Sequence, residues 1–469
     1  MRDGACWATC LGQTLTKKMQ SMTQDLASLA HALLDAARKA GAEAADTLAV
    51  DGRSVAIDVR QGVLEQAERS EAVDLGLRVL IGRKQAIVSA SDTRPETMAM
   101  MAERAVAMAR EAPDDPCAGL ADPDQLVTDY DIAALDLMDA APEPAADTLR
   151  DLALEAEAAA KAIDGVSQVQ SASGHYGVSR VHMAATNGFS AGYGRTATSV
   201  SCVAIAGQGT GMERDYDGDS RTYASDLRSA SEIGRIAGER AIAALNARQP
   251  KTGTYPVLFD ERISSSLIGH LLAAANGASV ARGSSWLLGR LGEQVLPEGL
   301  SVIEDPFRPR IGGSRPFDAE GLPTARRAIV DKGVLTGWTM DLASARKLGL
   351  DSTGNATRGT SSPPSPSNWN IALTQGDRTR AQMIADMGTG LLVTSMIGST
   401  INPNTGDYSR GASGFWVENG EITYPVNECT IAGNLGDMLL RIQPANDARD
   451  YLSRVVPSLL IDGMTLAGS

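Results

Sequence analysis

Apolar residues recur at helical spacing near the start of the chain. Over residues 26–40 they fall three or four positions apart, which predicts a helix with one apolar face, and Gly41 follows as a stop signal. Short segments in which apolar and polar residues alternate come next, and this alternation is typical of half-buried strands. The predicted strands are 46–51, 54–60, 71–81 and 85–89. A second helix is predicted over 93–111, with Asp92 or Thr93 as its N-cap.

The pattern then changes to a proline-rich, acidic segment over 112–146, which indicates a connector with short ordered pieces. Helices are predicted over 146–162 and 225–245, on either side of a second group of alternating segments. These predicted strands are 166–173, 179–186, 188–195 and 196–208. Asn187-Gly188, between two of them, is a strong hairpin-turn signal. Hairpins grouped between helices favour an α+β fold.

Pro250 and Gly253 mark a boundary, after which the pattern is different. An apolar strand is predicted over 255–259 and a helix over 261–276, followed by many short strands in a region rich in glycine and proline. Segment 355–368 is predicted to be an irregular loop, because its serines and prolines favour no regular structure.

These patterns predict the organisation of the chain. We expect an N-terminal helix-and-sheet domain over 22–248, which contains the connector, and a β-rich C-terminal domain over 249–469. Residues 1–21 lack the periodicity that starts near Met22, so they are predicted to be a disordered extension.

Charge and composition argue against several classes of function. The chain has 57 acidic and 43 basic residues, a formal net charge of −14, which disfavours a nucleic-acid-binding surface and contact with anionic membranes. No apolar run reaches the roughly 20 residues that a membrane helix needs. The five cysteines are odd in number and scattered, which does not suggest a disulfide framework. We therefore expect a cytoplasmic protein without a direct nucleic-acid or membrane partner.

The four histidines do not form a recognisable metal motif. His31 lies on the first predicted helix, and His175 and His182 lie on two predicted strands separated by a turn, with no evident third ligand. His270 lies in the middle of a predicted helix, where a zinc site would need a second ligand one turn away. The neighbouring positions are Ser266, Gly269, Ala273 and Ala274, which offer no imidazole, thiolate or carboxylate. His270 is therefore expected to face either the core or a cleft.

A glycine-rich stretch over 405–422 is the most informative part of the sequence. Its small residues alternate with aromatic ones, so another backbone can approach closely, and Asn419-Gly420 predicts a hairpin turn. It is either a tight sheet edge or a cleft wall that takes an extended peptide. Together with His270, the residues that we consider candidates for a substrate cleft are Arg282, Tyr408, Ser409 and Arg410.

This stretch, which ends in Phe415-Trp416-Val417-Glu418-Asn419-Gly420, resembles the signature of the TldD/PmbA family, once called modulators of DNA gyrase. Further segments resemble the PmbA, or TldE, branch of that family. They are 314–321, 344–354, 387–391 and 430–435. The resemblance covers nearly all of the chain from Met22 onward and implies the PmbA/TldD-like fold.

The resemblance also implies a role. In this family the TldD-type subunit carries an H-E-x-x-x-H zinc motif on a helix and a cysteine ligand near its C-terminus, and its glutamate is the general base for zinc-bound water. The matching positions here are Gly269, His270 and Ala274, and segment 451–469 has no cysteine. Because glycine and alanine cannot bind zinc, the resemblance implies a subunit that has no cofactor of its own and pairs with a zinc-bearing TldD-type subunit.

The implied complex is a peptidase that cleaves unfolded or linear peptides, and this chain would contribute dimer interface and substrate passage. The apolar segments 387–401 and 412–417 are expected to form that interface, in a heterodimer or in a homodimer. Two alternatives stay open. One is an autonomous peptidase with a site around His270, and the other is a protein that binds and modulates DNA gyrase.

Overall fold

The computed structural model describes residues 25–468 and contains two six-stranded sheets, one in each half of the chain. The predicted extension over 1–21 lies outside the described residues. The helices are α1 (25–40), α2 (Pro95–Glu111), α3 (Ile132–Leu135), α4 (Ala146–Lys161), α5 (Ala230–Ala243), α6 (Glu261–Ala274), α7 (Gly277–Ala281), α8 (Leu342–Leu348), α9 (Arg380–Met387) and α10 (Leu435–Leu439).

The strands of the first half are β1 (Ala44–Arg60), β2 (Val63–Ile81), β3 (Lys84–Ala90), β4 (Val166–Ala185), β5 (Ser190–Ala206) and β6 (Glu213–Arg221). Those of the second half are β7 (Gly253–Phe259), β8 (Val302–Glu304), β9 (Arg327–Asp331), β10 (Val334–Leu335), β11 (Ala356–Thr357), β12 (Ser365–Pro366), β13 (Ile371–Leu373), β14 (Gly390–Ile401), β15 (Asp407–Glu418), β16 (Glu421–Asn434), β17 (Gln443–Pro444), β18 (Arg454–Val455) and β19 (Leu459–Ala467).

The first sheet is antiparallel, with the order β3-β2-β1-β4-β5-β6. Helices α1 and α2 share a core with β1, β2 and β3, while α4 and α5 bury an alanine-rich core against β4 and β5. The second sheet has the order β16-β15-β14-β7-β19-β17, and a five-stranded sheet lies beside it. This mixture of helices and sheets, with a β-rich C-terminal part, confirms the predicted α+β fold.

The strands of the first sheet are longer than the sequence indicates. The segments predicted as 46–51 and 54–60 form the single strand β1, because Gly52 and its neighbours pair with β2 on one side and β4 on the other. The prediction that His175 and His182 lie on separate strands is also wrong. Both lie on β4, which is continuous because it pairs with β1 on one side and β5 on the other. Seven positions apart, their side chains project from opposite faces of that strand.

Three local predictions were also wrong. Strand β6 was missed because its sequence is strongly charged, and charged residues are common on an edge strand paired on one side only. The N-cap of α2 is Arg94, because Pro95 occupies the first turn, and Asp92 instead accepts a hydrogen bond from the Arg94 backbone N–H. The predicted irregular loop 355–368 contains the short paired strands β11 and β12.

The expected apolar interface segments lie mostly inside the protein. In 387–401, the side chains of Leu391, Leu392 and Val393 are buried in the core of the second half. In 412–417, Trp416 is likewise buried, because β15 packs between β14 and β16. Ile397 is 74% exposed, and the side chains of Met396, Ile401 and Phe415 are only partly buried. These segments therefore do not form the continuous apolar surface that we expected.

The two halves pack against each other through apolar and charged contacts. Phe317 of the second half makes edge-on ring contacts with Phe189 and Tyr193 of the first sheet. In a second contact between the halves, Asp46 of β1 binds Arg358 of the second half and also Arg78 of β2. Across residues 25–468, none of the helices is long and apolar enough to cross a membrane.

Candidate functional site

Helix α6 begins at a side-chain cap and is fixed by the core. The Asp260 carboxylate accepts a hydrogen bond from the Arg262 backbone N–H at 3.1 Å, which satisfies one of the free donors of the first turn. Leu267, Ile268 and Leu271 are buried against the second sheet. This anchoring turns the stripe of positions 262, 266 and 270 away from the core.

His270 lies on this stripe and contacts β15. Its ring centroid is 5.9 Å from that of Tyr408, at an interplanar angle of 70°. Its Nε2 is buried and has no hydrogen-bond partner among the described residues. Burial lowers the pKa of His270, and the positive charge of Arg410 lowers it further. The imidazole is therefore neutral near pH 7 and cannot act as a fixed positive charge.

The structure brings Tyr408 and Arg410 to His270. Tyr408 is buried, its hydroxyl donates to Met396 Sδ at 3.3 Å, and burial raises its pKa to about 12. Arg410 lies two positions further along β15, on the same face, and its Nε donates to the carbonyl of Gly398 at 2.7 Å.

Two of the five cleft candidates are not part of this group. Ser409 lies between Tyr408 and Arg410 in sequence, so its side chain projects from the other face of β15. Arg282 is exposed at the C-terminal end of the short helix α7. None of the contacts found within residues 25–468 joins either side chain to His270.

A cleft of about 590 Å³ opens beside this group, between the two halves of the chain. Strand β6 contributes Arg214 and Tyr216 to its wall, and α6 contributes Arg262 and Ser266. Strands β14 and β15 complete the wall with side chains that include Arg410. Because both halves line it, the cleft exists only when they are packed together.

One edge of β14 is open at this cleft. Strand β14 pairs with β7 only at Leu391, Leu392 and Val393, whereas it pairs with β15 along most of its length. From Thr394 onward, the backbone on the β7 side has no strand partner among the described residues. An open edge of this kind can hydrogen-bond to an extended peptide.

The residues at the zinc-motif positions do not fit a metal. Ala274 is buried in the core, and a Cβ built on Gly269 would lie 2.9 Å from Nη1 of Arg454, so a guanidinium fills the space next to the first ligand position. The thiol of Cys429 donates to the carbonyl of Ala412, and burial raises its pKa to about 11. Within residues 25–468, no three His, Cys, Asp or Glu side chains lie close enough together to hold a metal ion.

Several residues around α6 and the cleft were not predicted from the sequence. Arg262 had a signal, because Arg262, Ser266 and His270 are four positions apart on one helix face. Arg214 and Arg454 had none, since β6 was not predicted and Arg454 reaches α6 from a segment far away in the sequence.

The chain matches three domains of one protein family. PmbA/TldA metallopeptidase domain 1 matches residues 45–109, the central domain matches residues 139–245, and the C-terminal domain matches residues 252–468.

Two curated relatives are similar over most of their length. The chain is 39% identical over 418 residues to metalloprotease PmbA of Escherichia coli O157:H7, covering 88% of this chain and 90% of that protein. It is 36% identical over 461 residues to a metalloprotease PmbA homolog of Haemophilus influenzae, covering 97% and 98%.

Solved structures share the fold. A protein of Bacteroides thetaiotaomicron described as a modulator of DNA gyrase superimposes with a TM-score of 0.87 at 28% identity, over 94% of this chain and 98% of that one. TldE of Thermococcus kodakarensis superimposes with a TM-score of 0.81 at 21% identity, over 93% and 99%. At that identity, the second comparison concerns the fold alone.

Proposed function

The chain belongs to the PmbA/TldD metallopeptidase family, and from this premise we propose that it is the metal-free, TldE-type subunit of a two-subunit peptidase. In this proposal a TldD-type subunit carries the zinc, and the complex acts on unfolded or linear peptides in the cytoplasm. The three described cysteines, Cys117, Cys202 and Cys429, are free thiols, as expected in a reducing compartment.

One observation carries the metal-free assignment. Helix α6 offers no side-chain ligand at Gly269 or Ala274, and the guanidinium of Arg454 lies against the first of these positions. A guanidinium stays protonated in proteins, so it would repel a divalent cation placed beside it. In this proposal, hydrolysis by zinc-bound hydroxide is therefore the task of another chain.

The cleft supports a peptide as the substrate. The open edge of β14 offers backbone donors and acceptors, and Ser266 and Ser395 add hydroxyls to the wall. Backbone pairing of this kind binds a chain in extended conformation with little regard to its sequence. Most segments of a folded protein are already paired or packed and would have to unfold locally to bind in this way, so unfolded and linear peptides fit best.

A mixing experiment tests this proposal. A TldD-type subunit with an intact H-E-x-x-x-H motif is purified separately, and cleavage of an unfolded reporter peptide is measured for each subunit alone and for the mixture. We expect no cleavage by this chain alone, and cleavage with co-migration of the two subunits on size exclusion for the mixture. A mixture that neither assembles nor cleaves would overturn the proposal.

The names of the relatives favour one alternative. Both curated relatives are called metalloproteases, which would fit an autonomous peptidase. Cleavage by this chain alone, abolished by a chelator and restored by zinc, would establish that alternative and reject the accessory role.

A further inference from the structure

The cleft between the two halves carries positive charge that its own carboxylates do not neutralise. Arg262 is paired with Asp215 at 3.0 Å and with Asp260 at 3.4 Å. Arg214 and Arg410 also line the cleft, and neither is in a salt bridge with any residue of 25–468; Arg214 donates only to the amide oxygen of Gln170, at 3.3 Å. This positive wall stands out in a chain whose net charge is −14.

Arg410 in particular has donors that no carboxylate uses, although one side-chain hydrogen bond joins it to Tyr408. It is half-buried, so part of its hydration is lost, and its Nε donates to the Gly398 carbonyl. The two terminal nitrogens have no carboxylate within reach among the described residues, although a guanidinium has five N–H donors in a planar fork. That fork matches the two oxygens of a carboxylate, and such charge-assisted pairs are among the stronger hydrogen bonds in proteins.

We propose that the cleft is a carboxylate-binding subsite, in which Arg410 and Arg214 bind a carboxylate of a linear peptide that lies along β14. The carboxylate is either the C-terminus of the peptide or an aspartate or glutamate side chain. This subsite rests on the proposed function, because it names a feature of the peptide that the complex would accept.

The position of the two arginines supports a shared ligand. Arg410 lies on β15, which pairs with β14 on the side opposite its open edge, and its guanidinium reaches the Gly398 carbonyl of β14. Arg214 lies on β6 of the other half and is exposed, and both arginines line the cleft. A carboxylate between them would be contacted from both walls of the cleft. Arg262 cannot replace either one, because its guanidinium is already ion-paired with Asp215 and Asp260.

The test is a direct titration of this chain without the TldD-type subunit. Four fluorescent peptides share one extended, uncharged sequence and differ in a single feature: a free C-terminal carboxylate, a C-terminal amide, an amide with one internal glutamate, or an amide with one internal lysine. We expect one of the two carboxylate peptides to bind about tenfold more tightly than the plain amide, and raising the salt concentration to reduce the difference. The tighter of the two identifies the source of the carboxylate.

Charge-removing variants provide the controls. Arg410→Gln and Arg214→Gln should each remove most of the tenfold preference, and the second is at an exposed position where folding is not at risk. Arg104→Gln removes the same charge from the exposed face of α2 and should leave the preference unchanged. Equal affinity for all four peptides, or an unaltered preference in both cleft variants, would overturn the subsite. A failure of the two subunits to assemble would overturn only the proposed function, because this titration does not use the partner.

Discussion

The ion cluster that joins the two halves gives a stability prediction that follows directly from the contacts. Asp46 Oδ2 accepts from Nε of Arg78 at 2.7 Å, and Asp46 Oδ1 contacts Nη1 of Arg358. The side chains of the two arginines are 5% and 2% exposed, so neither can regain water if the carboxylate is lost. Asp46→Asn would leave two buried cations with one neutral amide between them.

We expect Asp46→Asn to lower the free energy of unfolding by about 3 kcal/mol, the lower end of the range for breaking a buried ion pair, because the amide oxygen can still accept one hydrogen bond. Urea unfolding at pH 7, followed by circular dichroism, measures the change. The matched control is Asp35→Asn. Asp35 is paired with Arg38, and both side chains are more than half exposed, so this substitution should lower the free energy of unfolding by no more than about 1 kcal/mol. A loss below about 1 kcal/mol for Asp46→Asn would refute the reasoning that these charges are desolvated.

Three further predictions cover four single substitutions. Gly234→Ala should lower the free energy of unfolding, measured in urea, by about 2 kcal/mol or more, because the new methyl group would overlap the Ala156 backbone. Gly269→Ala should instead raise it by up to about 1 kcal/mol, because alanine favours a helix and the new methyl group meets only the end of the flexible Arg454 side chain. Burial raises the pKa of Glu320, and the neighbouring carboxylate of Asp318 raises it further. The protonated Glu320 side chain therefore stabilises the fold at low pH, and this stabilisation is lost as the pH rises through the raised pKa. Glu320→Gln should flatten the fall in the free energy of unfolding between mildly acidic and mildly alkaline pH. His270→Ala, assayed in the assembled complex, should keep at least about a tenth of the wild-type cleavage rate, a loss of no more than ~1.4 kcal/mol, and a thousandfold loss in a correctly assembled complex would show that this subunit performs chemistry.

Local signals in the sequence predicted much of the fold. The helix predicted over 261–276 is α6 with two residues fewer, because its apolar stripe and the Asp260 cap are both local features. The turns at Asn187-Gly188 and Asn419-Gly420 were likewise predicted, since glycine and asparagine tolerate the positive φ angles that Gly188, Asn419 and Gly420 adopt. The continuity of β1 and β4 was not predicted, because pairing on both sides keeps in these strands glycines that would otherwise interrupt them. Strand β5 stays continuous across Arg195 and Thr196 because both residues pair with β4.

The candidate site was predicted less completely than the fold. His270, Tyr408 and Arg410 were found because they lie in motifs shared with a family. Arg214 and Arg454 could not be found, since each reaches α6 or the cleft from a distant part of the chain, and packing between the halves leaves no periodic pattern in the local sequence. The charge balance of the cleft depends on which arginines meet which carboxylates, and only the packed structure determines this.

The zinc content of the pure protein shows whether this chain has a metal site of its own. The chain and a TldD-type subunit are dialysed separately against zinc-free buffer, and bound zinc is measured by plasma mass spectrometry. Because Gly269 and Ala274 offer no ligand and the Arg454 guanidinium lies next to Gly269, we expect well under one zinc per molecule of this chain and about one per TldD-type subunit. Tightly held zinc at one per molecule of this chain would show that it is not a metal-free subunit.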